Sequence, residues 1–469
     1  MSKDTEAKPD IQDIYTLDSK NIKEPPDSFI ASLKYLGPGM VTSAAVVGSG
    51  ELLTATTLGA QAGFMLLWLI FLSTFVKVAV QIELARWSIS TGKTAMTGYD
   101  KVPPKIGKHG WISYIGILMF LQIIVGQGGV LGAAALAMSM VVPIGADPLS
   151  TTSLGFWIAV MVILAIGIHV ANKYDIVEKV ATALVVLVTV GVVAMVVGVE
   201  FTPFNWTASD LGYGMTFRIA AGAMGFALGM FGMTGVGAGE ITAYTYWVVE
   251  KGYAAWTGSN DESQAWVNRA RGWIKVMKID AWISWVIYTI STAAFYILGA
   301  AVLHPQGLEP KGNKVLEVIS QIFNSTLGAG AATIFLIGAA VALFKTILAN
   351  VPGFSRQVSN TLAVFSVFDW KDGHTRNRWQ RSLVIALPII WGLTAIVFQS
   401  PLLLIILAGI GNAIFLMAVV VAAIYLNRTE TDDRIKDKLP WNIYLAISSI
   451  AVFAVGFIGL VDQIVKINS

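Results

Sequence analysis

The chain has no cysteine, which excludes disulfides, thiolate metal ligands and cysteine nucleophiles. Histidine is nearly as scarce: His109, His169, His304 and His374 are scattered, and none sits at a metal-ligand or catalytic spacing. There is no phosphate-binding loop of the kind a nucleotide-driven pump needs, and no nucleophile motif. Charge is thin, at 13% of residues with a net +3, too little to draw nucleic acid. These absences point away from an enzyme, and no cofactor is expected. What fills the chain instead is apolar: 55% of its 469 residues are hydrophobic and the mean hydropathy is +0.68. That is more apolar surface than a water-soluble domain buries, so the class is an all-α integral membrane protein.

About eleven apolar stretches reach spanning length, the first over 36–60 and the last over 441–465. Residues 1–33 are polar and charged without an apolar core, and read as a disordered cytoplasmic tail rather than a signal peptide. Lysine and arginine collect in alternate loops: Lys93, Lys101, Lys105 and Lys108; then Lys251, Arg269 and Arg271; then Lys371, Arg376, Arg378 and Arg381; then Arg428, Arg434, Lys436 and Lys438. By the positive-inside rule the amino terminus is cytoplasmic and the carboxyl terminus outside, in an inner or plasma membrane.

Two spans are interrupted. The first carries Gly48-Ser49-Gly50-Glu51 in its middle, and the sixth carries a glycine-rich run over 229–240 that ends at Glu240. Hydrocarbon offers no partners for freed backbone groups, so such breaks belong where they line a cavity. The breaks lie five spans apart, an odd number, which gives an inverted repeat with substrate bound at the midplane between two discontinuous helices. The corresponding division is 34–200 for the first five-helix repeat, 201–426 for the second with a cytoplasmic segment at 250–275, and 427–469 for a loop and an eleventh helix. The alternative, glycines that merely let helices pack closely, does not require a carboxylate beside them.

Gly37-Pro38-Gly39, the break at 48–51, Gly59, Gly63-Phe64, Leu66-Leu67-Trp68, Gln81 and Thr91-Gly92-Lys93 resemble, without a gap, the opening of the Nramp family (natural resistance-associated macrophage proteins). The resemblance implies the leucine-transporter fold, a 5+5 inverted repeat with helices 1 and 6 broken, and a proton-coupled divalent-metal transporter. The signature positions depart from it. The family's Asp-Pro-Gly-Asn falls on Gly48, Ser49, Gly50 and Glu51; its Met-Pro-His falls on Val236, Gly237 and Ala238; and its acidic pair of the third span falls on Gly126 and Gly129. No sulfur is left to favour a soft ion, so this is not a typical transition-metal transporter.

Intramembrane charge is costly and functional by default, which singles out Glu51, Glu240 and Lys345. Lys345 is expected to stand in for a cation beside the first break, paired with Glu51 or with backbone carbonyls, and to carry proton coupling together with Glu51. Two substrates compete. In the favoured reading the amides of Gly48, Ser49 and Gly50 and of Gly235, Val236, Gly237, Ala238 and Gly239 cradle a small organic carboxylate. Ser43, Thr234 and Gln127 then add neutral hydrogen bonds. In the alternative, Glu51 and Glu240 hold a hard divalent cation such as magnesium, still partly hydrated. The expected partners are a small-molecule or ion substrate, the lipid bilayer and protons as coupling ion, with no nucleic acid.

Overall fold

A computed structural model describes residues 13–468 apart from 49, 172–173, 220–223 and 329. The protein is nearly all helix; among the described residues the one sheet is an antiparallel hairpin of β1 (Lys105–Ile106) and β2 (His109–Gly110). Eight helical stretches among them are long and apolar enough to cross a membrane.

α1 (Pro38–Val46) starts with proline in its first turn, where a missing N–H loses no helical bond. The Asp280 carboxylate accepts from Gly37 N–H (3.0 Å) and Gly39 N–H (2.5 Å), satisfying amides that the helix start leaves open. The chain leaves the helix at Gly48, where φ is +126° and a Cβ would lie 2.8 Å from the Ala342 carbonyl oxygen, so only glycine suits the position. A π-helical turn over Gly50–Ala55 then leads into α2 (Thr56–Ala62). After it come α3 (Leu67–Thr91), α4 (Trp111–Val141), α5 (Thr151–Val170) and α6 (Tyr174–Val199).

The sixth span is likewise two helices, α7 (Met224–Met233) and α8 (Ala238–Lys251), separated at 234–237. The remaining long helices are α9 (Gln264–Leu298), α10 (Ala331–Val364), α11 (Gly373–Phe398), α12 (Pro401–Thr429) and α13 (Leu439–Asn468).

Not every glycine in the 229–240 run belongs to the break. Gly229 and Gly232 lie inside α7, where a Cβ on Gly232 would come within 1.6 Å of the Gly409 carbonyl oxygen on α12. Here close helix packing is the reason for glycine. The third-span glycines behave the same way. A Cβ on Gly126 would meet Ala408 at 2.9 Å, one on Gly128 would meet Thr394 at 2.7 Å, and one on Gly129 would meet Ile405, Leu404 and Pro401 at 2.9 Å. Gly126 and Gly129 are thus helix contacts without space for a carboxylate.

The expectation of a disordered tail over 1–33 does not hold for residues 13–33; residues 1–12 lie outside the described ones. Arg376 pairs with Asp13 at 2.5 Å, the Tyr15 hydroxyl bonds Glu250, Trp273 Nε1 donates to the Lys23 carbonyl at 2.8 Å, and Lys23 N–H donates to the Trp256 carbonyl at 3.0 Å. Polar composition predicts disorder only where such specific partners are missing, and here buried aromatic and charged groups supply them. The 250–275 segment is ordered: α8 ends at Lys251, a short helix spans Tyr253–Thr257, and α9 begins at Gln264.

Asp280 also accepts from the Tyr244 hydroxyl at 3.0 Å, so one buried carboxylate ties α1, α8 and α9 together. Asp280→Ala would strand these donors, and the expected loss is about 3 kcal/mol. It should register as a lowered unfolding midpoint in detergent, with Asp280→Asn intermediate.

Candidate functional site

At the first break the last carbonyls of α1 have no helical successor. Lys345 of α10, 1% exposed, donates through Nζ to the Val47 carbonyl oxygen at 2.5 Å. Of the two pairings expected for this lysine, the contact is with backbone carbonyl; its interaction with Glu51 is electrostatic at longer range. Ser49 lies outside the described residues. Glu51, fully buried, reaches across to the other break, where its Oε1 accepts from Gly235 N–H at 3.4 Å. The Gly48 and Glu51 backbone amides also face this carboxylate, and its buried Oε2 makes no hydrogen bond of full geometry among the described residues.

At the second break Lys77 of α3, fully buried, donates to the Phe231 and Thr234 carbonyls, the latter at 2.7 Å. Its ammonium lies 4.9 Å from the Phe231 ring centroid. Lys77 therefore does for the end of α7 what Lys345 does for the end of α1, placing a positive charge at the negative end of a half-helix. It lies within electrostatic range of both Glu240 and Glu51. On the far side of the break the amides are already occupied. Gly237 N–H donates to Glu240 Oε2 at 3.1 Å and Ala238 N–H to Asn412 Oδ1 at 2.9 Å, while Asn412 Nδ2 donates to the Gly232 carbonyl at 3.2 Å. Glu240 is thus the N-terminal cap of α8, a role that its position in the first turn dictates.

The other expected residues divide. The Thr234 hydroxyl donates to the Met230 carbonyl at 2.9 Å and pairs with Ser73 at 2.8 Å. Ser43 pairs with Ser284 at 2.7 Å and so serves the packing of α1 on α9. Val236 is buried, and Gly239 sits against Phe354 and Ile123. Gln127 is buried on α4 with Oε1 unpartnered. The structure gathers Glu51, Gly235, Gly237 and Glu240 at one place, with Lys345 on the adjoining carbonyl. Sequence reading missed Lys77, Asn412 and Tyr288. Tyr288 packs its ring on Gly235, where a Cβ would lie 3.0 Å away, and its buried hydroxyl is unpartnered and within electrostatic range of Glu51. Among the described residues no three His, Cys, Asp or Glu side chains cluster to hold a metal, so any ion here uses few protein carboxylates.

The profile of the family described as natural resistance-associated macrophage protein-like matches residues 39–462. The chain belongs to the Nramp family. A divalent metal cation transporter, MntH, of Acidiphilium cryptum is 26% identical over 363 residues, covering 76% of this chain and 74% of that one. An uncharacterised protein of Pasteurella multocida is 22% identical over 331 residues, covering 68% and 69%. Among solved structures, a variant of the Eremococcus coleocola manganese transporter superposes with TM-score 0.69 at 13% identity, covering 94% of this chain and 88% of that one. MhsT in complex with L-phenylalanine gives TM-score 0.55 at 16% identity over 93% and 100%. The fold is thus the leucine-transporter type, and the chain is an integral membrane secondary transporter.

Lys77→Met would leave two buried carbonyls unpaired and two glutamates short of a counter-charge. The expected destabilisation is about 3 kcal/mol, read as a lower unfolding midpoint in detergent, whereas a surface lysine-to-methionine control should leave it unchanged.

Proposed function

We propose that this Nramp-family chain carries a hard, partly hydrated divalent cation such as magnesium, taken up at Glu51. The observation that carries this reading is Glu51 Oε2, a carboxylate oxygen buried at the break with no hydrogen-bond partner. A buried acceptor left unpaired is costly unless a ligand completes it. A hard cation is the complement of such an oxygen, and the unpartnered Tyr288 hydroxyl, within electrostatic range of Glu51, is a second oxygen donor. Glu240, tied to Gly237, contributes field more than coordination. The name of the Acidiphilium cryptum relative supports the cation class. The residues that make the site selective for soft ions are missing, so manganese and cadmium are expected to bind weakly.

The reading of a small organic carboxylate has less support. The amides it requires at Gly235, Gly237 and Ala238 already donate to Glu51, Glu240 and Asn412. One observation favours it nonetheless: Lys77 and Lys345 put two ammonium groups at the breaks, and these are natural partners of an anion. Under the cation reading the same lysines have a different task. Two glutamates and two lysines sum to zero, so an arriving dication adds uncompensated charge to a dry site. Release of protons from Lys345 and Lys77 would offset that charge, which makes the two lysines the coupling groups of a cation–proton exchange. The lysines and arginines of alternate loops favour a cytoplasmic amino terminus.

Proteoliposomes test this directly. With and without a pH gradient, magnesium influx should be saturable in the parent and lost in Glu51→Gln, while labelled small carboxylates stay outside. Uptake of a carboxylate without cation flux would reverse the assignment. Lys345→Ala should uncouple cation flux from the pH gradient, and Lys345→Arg, which cannot release a proton to offset the arriving charge, should bind cation weakly and turn over slowly; unchanged pH dependence in both would remove Lys345 from coupling.

A further inference from the structure

Away from the breaks, a cavity of about 560 Å³ opens where α9 meets the connection between α12 and α13. Its walls are unusually basic: Arg271, Lys275 and Lys278 come from α9, and Lys436 and Lys438 from the connection, against the single acid Asp437. Asp437 is already committed. It pairs with both Arg86 and Lys278; burial alone would raise its carboxyl, but the hydrogen bonds and charges of Arg86 and Lys278 hold it below the usual range. Lys436 pairs with Asp433 at 2.6 Å. Arg271 donates only to the Arg434 carbonyl, at 2.9 and 2.6 Å. Among the described residues Lys275 and Lys438 have no acidic partner, so three cations face the cavity without a counter-charge.

The apolar half of the wall points the same way. Ile274, Pro440 and Trp441 complete the lining, and Trp441 is fixed by an Nε1–H bond to Glu83 Oε2 at 2.7 Å. From this rim α13 continues with a row of exposed apolar side chains: Leu439 at 70%, Ile443 at 50%, Ile447 at 58% and Ile450 at 70%. Their spacing puts them on one face of the helix. A group of basic side chains, an interfacial tryptophan and an apolar track leading from them are the parts that a phospholipid needs: charge for the phosphate, an anchor at headgroup depth and a path for an acyl chain.

We propose that this cavity binds the headgroup of an anionic phospholipid, with Lys275, Lys438 and Arg271 on the phosphate and the acyl chain laid along the exposed row of α13. The site is independent of the transported substrate. It places a negative charge against the stretch of α9 that leads to Asp280, and so against the element holding α1.

The test is binding of defined lipids to the purified protein in detergent, followed by native mass spectrometry and by the unfolding midpoint. Phosphatidylglycerol should bind and raise the midpoint; phosphatidylcholine should not, and inorganic phosphate alone should not. The double variant Lys275→Gln with Lys438→Gln should bind phosphatidylglycerol about thirtyfold more weakly, the equivalent of roughly 1 kcal/mol for each basic residue removed. Lys275→Arg with Lys438→Arg should bind as the parent does, which separates lost charge from lost folding. The proposal is overturned if phosphatidylcholine binds equally, if inorganic phosphate reproduces the full shift, or if the glutamine pair keeps parental affinity.

Discussion

Backbone polarity in a dry environment is the constraint on which the rest of this protein depends. Breaking two spans frees carbonyls at the ends of α1 and α7 and amides at the start of α8, and these buried groups need partners within the protein. The protein answers with side chains, three from unbroken helices and one from α8 itself. Lys345 covers the Val47 carbonyl, Lys77 the Phe231 and Thr234 carbonyls, Glu240 the Gly237 amide and Asn412 the Ala238 amide. Apart from the Glu240 contact within α8, each is a point where an unbroken helix holds a broken one, so the breaks are connected to α3, α10 and α12 by polar contacts rather than by packing alone.

Once those contacts are made, little polar capacity at the break is left over. Glu51 Oε2 and the Tyr288 hydroxyl are buried and unpartnered, and both lie by Gly235. A substrate must meet the groups the protein has not already used. That argument separates a cation from an anion more sharply than composition does, because the amides of Gly235, Gly237 and Ala238 already have acceptors and an oxygen that would greet a cation makes no full hydrogen bond.

Much of this was legible in the sequence. Glycine beside a carboxylate in mid-span marks a break in both cases, and a lysine placed inside an apolar run has to find carbonyls or acids. Lys77 obeys the same rule, since it sits between Val76 and Val78 in the second span. Nothing local marks it, because the carbonyls it serves, Phe231 and Thr234, lie in a distant span. Asp280 is of the same kind, at the edge of an apolar stretch where a charge looks interfacial until its partners Gly37 and Gly39 are seen. What sequence could not give was which glycines break helices and which pack them: Gly232 and Gly235 are alike in the chain, but one faces the Gly409 backbone inside α7 and the other turns at φ +63°. The anchoring of residues 13–33 was hidden for a related reason, because its partners Glu250, Trp273 and Arg376 are far away in the chain.

The central claim is that Glu51 presents an oxygen reserved for a hard cation. Isothermal titration of magnesium into the purified protein and into Glu51→Gln, in the same detergent and buffer, tests it most directly. The account predicts saturable binding to the parent and none to the variant, at equal folded fraction. Equal heats for the two proteins, or no binding to the parent while a small carboxylate binds, would contradict it.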